Sequence, residues 1–312
     1  MHNRSILLIC LLTISSLWMR GQETLNFIFG TASEESGLVS VFSPEKYSGA
    51  KGYGFDIENT DKVRIIRESE EKDDDWHPGW CTAAEPFYFS VKVPEGVYDV
   101  VVAMGHPELE GRVTVKAEAR RLMIFEQKVR PGGTYYRSFT LSVRTPRIDS
   151  TRSIELKPRE VNYMNWDDRL TLEFSGENVA IQAVTIKPKK RYTTLFLAGN
   201  STVTDQDCAP WASWGQMITQ YFTPEIVVAN YAESGETLSG FKARGRLDKV
   251  FTQMKFGDYL FIEFGHNDQK MKGEGIGPWE SFTKLLAEYI SRTREKGGIP
   301  VLITPTQRRS FN

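Results

Sequence analysis

The chain has 312 residues, of which 40% are apolar, 25% charged and 12% aromatic, with a net charge of −1. This ordinary globular composition excludes a disordered, collagen-like or coiled-coil chain, and the length predicts about two domains. The charge is balanced in both halves, which excludes the basic field expected of a nucleic-acid binder.

Arg4 followed by the apolar run Ile6 to Leu17 reads as an export signal over residues 1–21, with an uncleaved interfacial anchor as the alternative. The run is shorter than the ~20 residues of a spanning helix, and no other segment is long and apolar enough to cross a bilayer. Signal removal leaves Cys81 and Cys208, either one disulfide across the two halves or, the preferred reading, two buried free thiols. No Cys/His cluster has zinc spacing, so no metal or other cofactor is expected.

Residues 22–188 read as an all-β sandwich. Phe87, Phe89, Val91 and Val93 alternate with period two, and Pro94-Glu95-Gly96 turns the chain into a strand from Val97 to Met104. Further strands are expected at Val113-Val115-Ala117, Leu122 to Phe125, Phe139-Leu141-Val143, Leu170-Leu172-Phe174 and Val179 to Ile186, separated by turn clusters. The basic run Lys187 to Arg191 reads as a solvated linker.

After Arg191 strands alternate with helices. Strands are expected at Thr194 to Ala198, Ile226 to Ala229, Tyr259 to Ile262 and Ile299 to Ile303, and helices at Trp211 to Phe222, Phe241 to Phe251 and Glu280 to Lys296. The last helix is the clearest, with Phe282, Leu285, Leu286, Tyr289 and Ile290 on one face and Gly297-Gly298 as its stop. Such alternation means a parallel sheet, whose ligands bind at the carboxyl ends of the strands.

Three polar blocks occupy three consecutive strand ends: Gly199-Asn200-Ser201-Thr202-Val203, Asn230 to Thr237, and Phe264-Gly265-His266-Asn267-Asp268. A strand feeding a glycine and then a serine lifts a hydroxyl onto a tight turn, with the N–H groups of the following helix nearby. That arrangement suits an acyl-transfer nucleophile beside oxyanion donors. Gly235 admits close backbone approach, and Asn267 can aim a neutral side-chain N–H. Each block alone fits an ordinary turn; their order and placement together are more specific.

The block Leu197 to Val203 resembles the first block of the SGNH (GDSL-like) hydrolases, within them the rhamnogalacturonan acetylesterase branch. The resemblance implies a three-layer, flavodoxin-like α/β domain over residues 192–312. It makes Ser201 the nucleophile, with its N–H, the Gly235 N–H and Asn267 as oxyanion donors. Gly199, Asn200, Gly265, His266 and Asp268 would support them. Asn200 stands where the family has Asp or Asn. Phe27-Ile28-Phe29-Gly30 and Gly52-Tyr53-Gly54-Phe55 resemble the galactose-binding-like sandwich fused to some of these esterases. The implied activity is that of an exported serine esterase removing acetyl groups from acetylated plant cell-wall polysaccharide. A carbohydrate-binding protein with a vestigial second half and a lipase or lysophospholipase on the same scaffold are the alternatives.

The base is missing from this pattern. The family's catalytic histidine lies in an Asp-x-x-His block near the end of the domain, whereas the histidines here are His2, His77, His106 and His266. The expected final strand, final helix and base-bearing block are absent, so the domain is read as incomplete and the chain as inactive as it stands. A fragment of a longer gene is the preferred explanation, ahead of a true inactive binding protein or substitution by another histidine. Among other residues, Trp76, Trp80, Tyr135, Tyr136 and Trp166 either stack on sugars or pack. Asp73-Asp74-Asp75 with Glu70 or Glu71 are a solvated loop or a calcium site. Trp211 and Trp214 line a pocket or the core. Asp205 and Asp207 contact substrate or favour a helix N-terminus.

Overall fold

The computed structural model describes residues 23–307 except 33–36, 57–58, 68–75 and 78. The expected signal segment and the acidic run Asp73-Asp74-Asp75 lie outside the described residues, as does the side chain of His77.

Two sheets face each other in the first half. One carries, in spatial order, Tyr135–Val143, Gly96–Met104, Ile181–Pro188, Leu25–Phe29 and Val39–Val41, with two short strands attached to its side. The other runs Arg121–Val129, Gly111–Ala117, Arg169–Glu177, Phe87–Lys92 and Tyr53–Asp56. All neighbours along these paths are antiparallel except Leu25–Phe29 with Val39–Val41. The period-two residues point inward: Phe87, Phe89, Val91, Leu170, Leu172 and Phe174 are all buried. Phe89 is the hub, with the rings of Phe27, Phe29 and Phe55 edge-on at 5.3, 5.2 and 5.4 Å. In the run 187–191 Lys187, Lys190 and Arg191 are exposed, while Lys189 is tied down, paired with Asp99 at 2.7 Å and with its N–H on the Val97 carbonyl.

The second half is a four-stranded parallel sheet in the order Ile226–Asn230, Thr193–Gly199, Tyr259–Glu263, Ile299–Leu302. Helices Leu238–Ala243, Arg246–Gln253 and Thr283–Glu295 cover one face, and the short helix Trp214–Met217 lies on the other. Strand Tyr135–Val143 of the sandwich abuts the outer strand Ile226–Asn230. At the opposite edge Ile299 and Leu302 are exposed, and among the described residues nothing pairs with the outer side of their strand. No helix of the described residues is long and apolar enough to cross a membrane.

Two expected helices differ. The helix expected at Trp211 to Phe222 is one α-turn, Trp214–Met217, capped by Ser213 and followed by a 3-10 turn, Ile218–Tyr221. The helix expected at Phe241 to Phe251 is two, Leu238–Ala243 and Arg246–Gln253, broken at Gly245 with φ 76°. A segment leaving the sandwich passes against Gly245, where a Cβ would stand 2.8 Å from Ile148 Cδ1.

That segment connects strands Tyr135–Val143 and Arg169–Glu177, and it belongs to the second core. Ile154 and Trp166 are buried with Phe196, Tyr231, Leu238, Phe241 and Leu247. Buried Glu160 receives Arg246 Nη2 at 2.6 Å and Trp166 Nε1 at 3.2 Å. Neither cysteine is in a disulfide: Cys81 is buried, and burial pushes its thiol up, whereas Cys208 is exposed, against the expectation of two buried thiols. Cys208 sits in an irregular stretch just ahead of the Ala209-Pro210 turn, at the surface.

Candidate active site

Strand Thr193–Gly199 sits between Ile226–Asn230 and Tyr259–Glu263, both parallel to it, so consecutive connections leave it in opposite directions. This is the switch point at which an open parallel sheet opens a crevice above its carboxyl ends. Leu197 is level with Asn230, and Gly199 with Glu263. The three polar blocks therefore begin side by side.

The first block turns tightly. A Cβ on Gly199 would stand 2.5 Å from the Val203 side chain, so only glycine allows the turn. The buried Asn200 side chain accepts from the N–H and hydroxyl of Thr202 at 3.2 and 3.0 Å. Its carbonyl accepts from Val203 and Thr204 N–H, both at 3.0 Å. The Asn200 Nδ2 is buried without a partner among the described residues. Ser201 is left partly exposed at the apex, where its carbonyl accepts from Gln206 Nε2 at 2.8 Å. The helix expected directly behind it does not form. Turns run to Trp214, so the N–H groups here belong to the loop and carry no helix dipole.

The second block makes a turn closed by Glu236 N–H to the Glu233 carbonyl at 3.1 Å, with Gly235 third at φ 80°, a type II signature. Lys157 Nζ and Arg159 Nη2 each donate to the Ser234 carbonyl at 2.6 Å. Lys157 also pairs with buried Glu236 at 2.7 Å and Arg159 with buried Glu233. Burial, followed by the neighbouring Glu160 charge, raises the Glu233 carboxyl above its ordinary range.

In the third block Asp268 staples two loops, one oxygen accepting from Gly265 N–H at 2.9 Å and the other from Leu238 N–H at 2.8 Å. Asn267 Nδ2 donates to the Glu236 carbonyl at 3.0 Å, which uses one of its two N–H bonds, and its oxygen accepts from Lys270. His266 is partly buried, its carbonyl taken by Gln269. The three strand ends are thus tied pairwise. The Glu233 N–H bonds the Gly199 carbonyl, Thr202 bonds Glu263, and Asn267 bonds Glu236. A cavity of about 720 Å³ opens beside the third block, lined by Ser239, Gly265 and Asp268 on its polar side and Ile276, Phe282 and Leu285 on its apolar side.

One of the other residues, Asp205, falls elsewhere than expected. Asp205 neither faces solvent nor starts a helix. It is buried, holding Arg121 Nε of the sandwich at 2.6 Å and Asn230 Nδ2 at 2.8 Å. Beside it Arg144 stacks on Trp166 and Tyr231, and burial, then the Arg121 charge, lowers its guanidinium to about 10. Trp80 and Trp166 are buried, Trp214 donates to Glu263 at 2.6 Å, and Tyr136, Trp211 and Asp207 are exposed. His106 closes its own turn in the sandwich, its Nδ1 accepting from Glu108 and Leu109 N–H, both at 3.0 Å. Among the described residues no group of three or more His, Cys, Asp or Glu is placed to hold a metal ion. Lys157, Arg159, Glu160, Arg246 and Glu263 were not singled out in the sequence. The signal available was the run of about 25 residues between two strands with no alternation, too long for a sandwich connection.

Residues 25–130 match the family described as beta-agarase/YXIM esterase-like, galactose-binding domain-like. Among curated proteins the chain is 42% identical over 127 residues to the rhamnogalacturonan acetylesterase RhgT of Bacillus subtilis, covering 39% of this chain and 53% of that one. It is 24% identical over 308 residues to the uncharacterized esterase YxiM of the same organism, covering 97% and 74%. The crystal structure of YXIM from Bacillus subtilis aligns over 92% of this chain and 75% of that one, at 24% identity and a TM-score of 0.39. The chain spans about half the length of the rhamnogalacturonan acetylesterase it matches.

Proposed function

We propose that this chain belongs to an exported serine esterase that removes acetyl groups from pectic polysaccharide, and that residues 192–312 are part of its SGNH-type hydrolase domain. The observation that carries this reading is the pairwise bonding of the three strand ends around the switch point. The Ser201 hydroxyl attacks the acetyl carbonyl, and the oxyanion is received by the N–H groups of Ser201 and Gly235 and the second N–H of Asn267. Similarity to a rhamnogalacturonan acetylesterase supports the substrate class. The attack needs a base to take the serine proton. By the resemblance, that base is a histidine.

The test is acetate release from acetylated rhamnogalacturonan by the full-length gene product. Ser201→Ala is expected to lower turnover on the order of 10³-fold or more. Unchanged turnover in that variant rejects Ser201 as nucleophile.

A further inference from the structure

The Ser234–Gly235 peptide is gripped unusually. A turn carbonyl near the surface ordinarily bonds water, yet the Ser234 oxygen accepts from two cations, Lys157 Nζ and Arg159 Nη2, both at 2.6 Å. Both cations come from the segment that interrupts the sandwich, and both are anchored from behind. Arg159 Nε donates to Glu233 at 2.9 Å, Lys157 pairs with Glu236, and Lys157 N–H donates to Glu160 at 2.9 Å. Glu160 is fixed in turn by Arg246, which is fully buried. The other end of the same peptide is the Gly235 N–H. The turn-closing bond uses Glu236 N–H instead, and among the described residues Gly235 N–H has no acceptor.

We infer that Lys157 and Arg159 are positioning residues that aim and polarise the Gly235 N–H as an oxyanion donor. The inference rests on the proposed reading of Gly235. A trans peptide is planar, so pinning its oxygen fixes the direction in which its N–H points. Charge-assisted bonds at the oxygen draw the amide electrons toward it, which leaves the nitrogen end more positive and its N–H a stronger donor. Preorganised donors of this kind stabilise charge as it develops without reorganising during the reaction. The sandwich segment therefore acts on the reacting carbonyl through one peptide bond and touches no substrate.

The test compares Arg159→Gln, Lys157→Met and the double variant in the full-length gene product. Arg159 is half-exposed, so Arg159→Gln alone keeps the fold and gives a readable result. Turnover is expected to fall about tenfold for each single variant and about a hundredfold for both, with KM within about twofold. Arg159→Lys should recover part of the loss. A readout independent of turnover is the Gly235 amide ¹⁵N resonance of the 312-residue chain, expected to move when either cation is removed. Unchanged turnover, or a rise in KM that accounts for the loss, overturns the inference, as does an unmoved Gly235 resonance. Full turnover in Ser201→Ala rejects the underlying reading; an inactive Ser201→Ala with a fully active double variant rejects this inference alone.

Discussion

Glu118 illustrates how much one buried carboxyl can govern. It is 2% exposed, sits at φ 53°, and joins two strands through both its backbone and its side chain, which accepts from Thr171 N–H at 3.1 Å. Burial pushes its carboxyl up to about 8 from an ordinary 4.5, with the Arg121 charge opposing. Between those values the folded chain holds a proton that the unfolded chain has released, so this group's contribution to stability falls as pH rises from about 4.5 to about 8. Glu118→Gln keeps the acceptor and removes the titration. Melting curves should show the variant more stable at pH 8 by about 5–7 °C, with the gap closing toward pH 4.5; parallel curves at all pH values contradict the assignment. At this scale the sequence makes the strand-end positions of the candidate residues legible, their roles being proposals. Ser201, Gly235 and Asn267 stand out because each follows a short apolar strand within a few residues. Lys157, Arg159 and Arg121 were illegible because their partners lie 77, 74 and 84 positions away. Asp205 was misread for the same reason.

Among the elements, strands were read well and helices less so. Alternation in Phe87 to Val93 reports a face directly, and the inward residues are those expected. The stretch Phe241 to Phe251 keeps an apolar rhythm through Gly245, so periodicity joins two helices that the backbone separates. The break is at Gly245 in the left-handed region, against Ile148 from a part of the chain that periodicity cannot connect to them. Gly245→Ala forces a left-handed residue with a Cβ against that side chain, and should cost about 1–2 kcal/mol. Urea denaturation should show a lower midpoint at an unchanged slope. A midpoint equal to the wild type means that the segment yields and does not set the break.

Over the whole molecule the core of the second half draws on both halves. Ile154 and Trp166 fill the space above the parallel sheet, Glu160 neutralises the buried Arg246, and Arg121 meets Asp205. Composition and motif reading divide the chain at residues 188–192, since residues 144–168 stand out only by their length and lack of alternation, which does not say what they pack against. Removing one partner of a buried ion pair costs about 3–5 kcal/mol, so a separated second half begins with that deficit and a hollow core. Calorimetry of the 312-residue chain should give a single transition, and residues 192–312 alone none; two resolved transitions show independent halves. The shared core also has a consequence for the order of synthesis. Trp166 leaves the ribosome long before Tyr289, the last large side chain of the core it completes. At about 5–20 residues per second the gap is on the order of ten seconds. Once Pro188 has also emerged, the sandwich has every strand of its own yet carries an apolar tongue with nowhere to dock. The nascent chain is then most in need of a chaperone in mid-translation, when its first domain is already built.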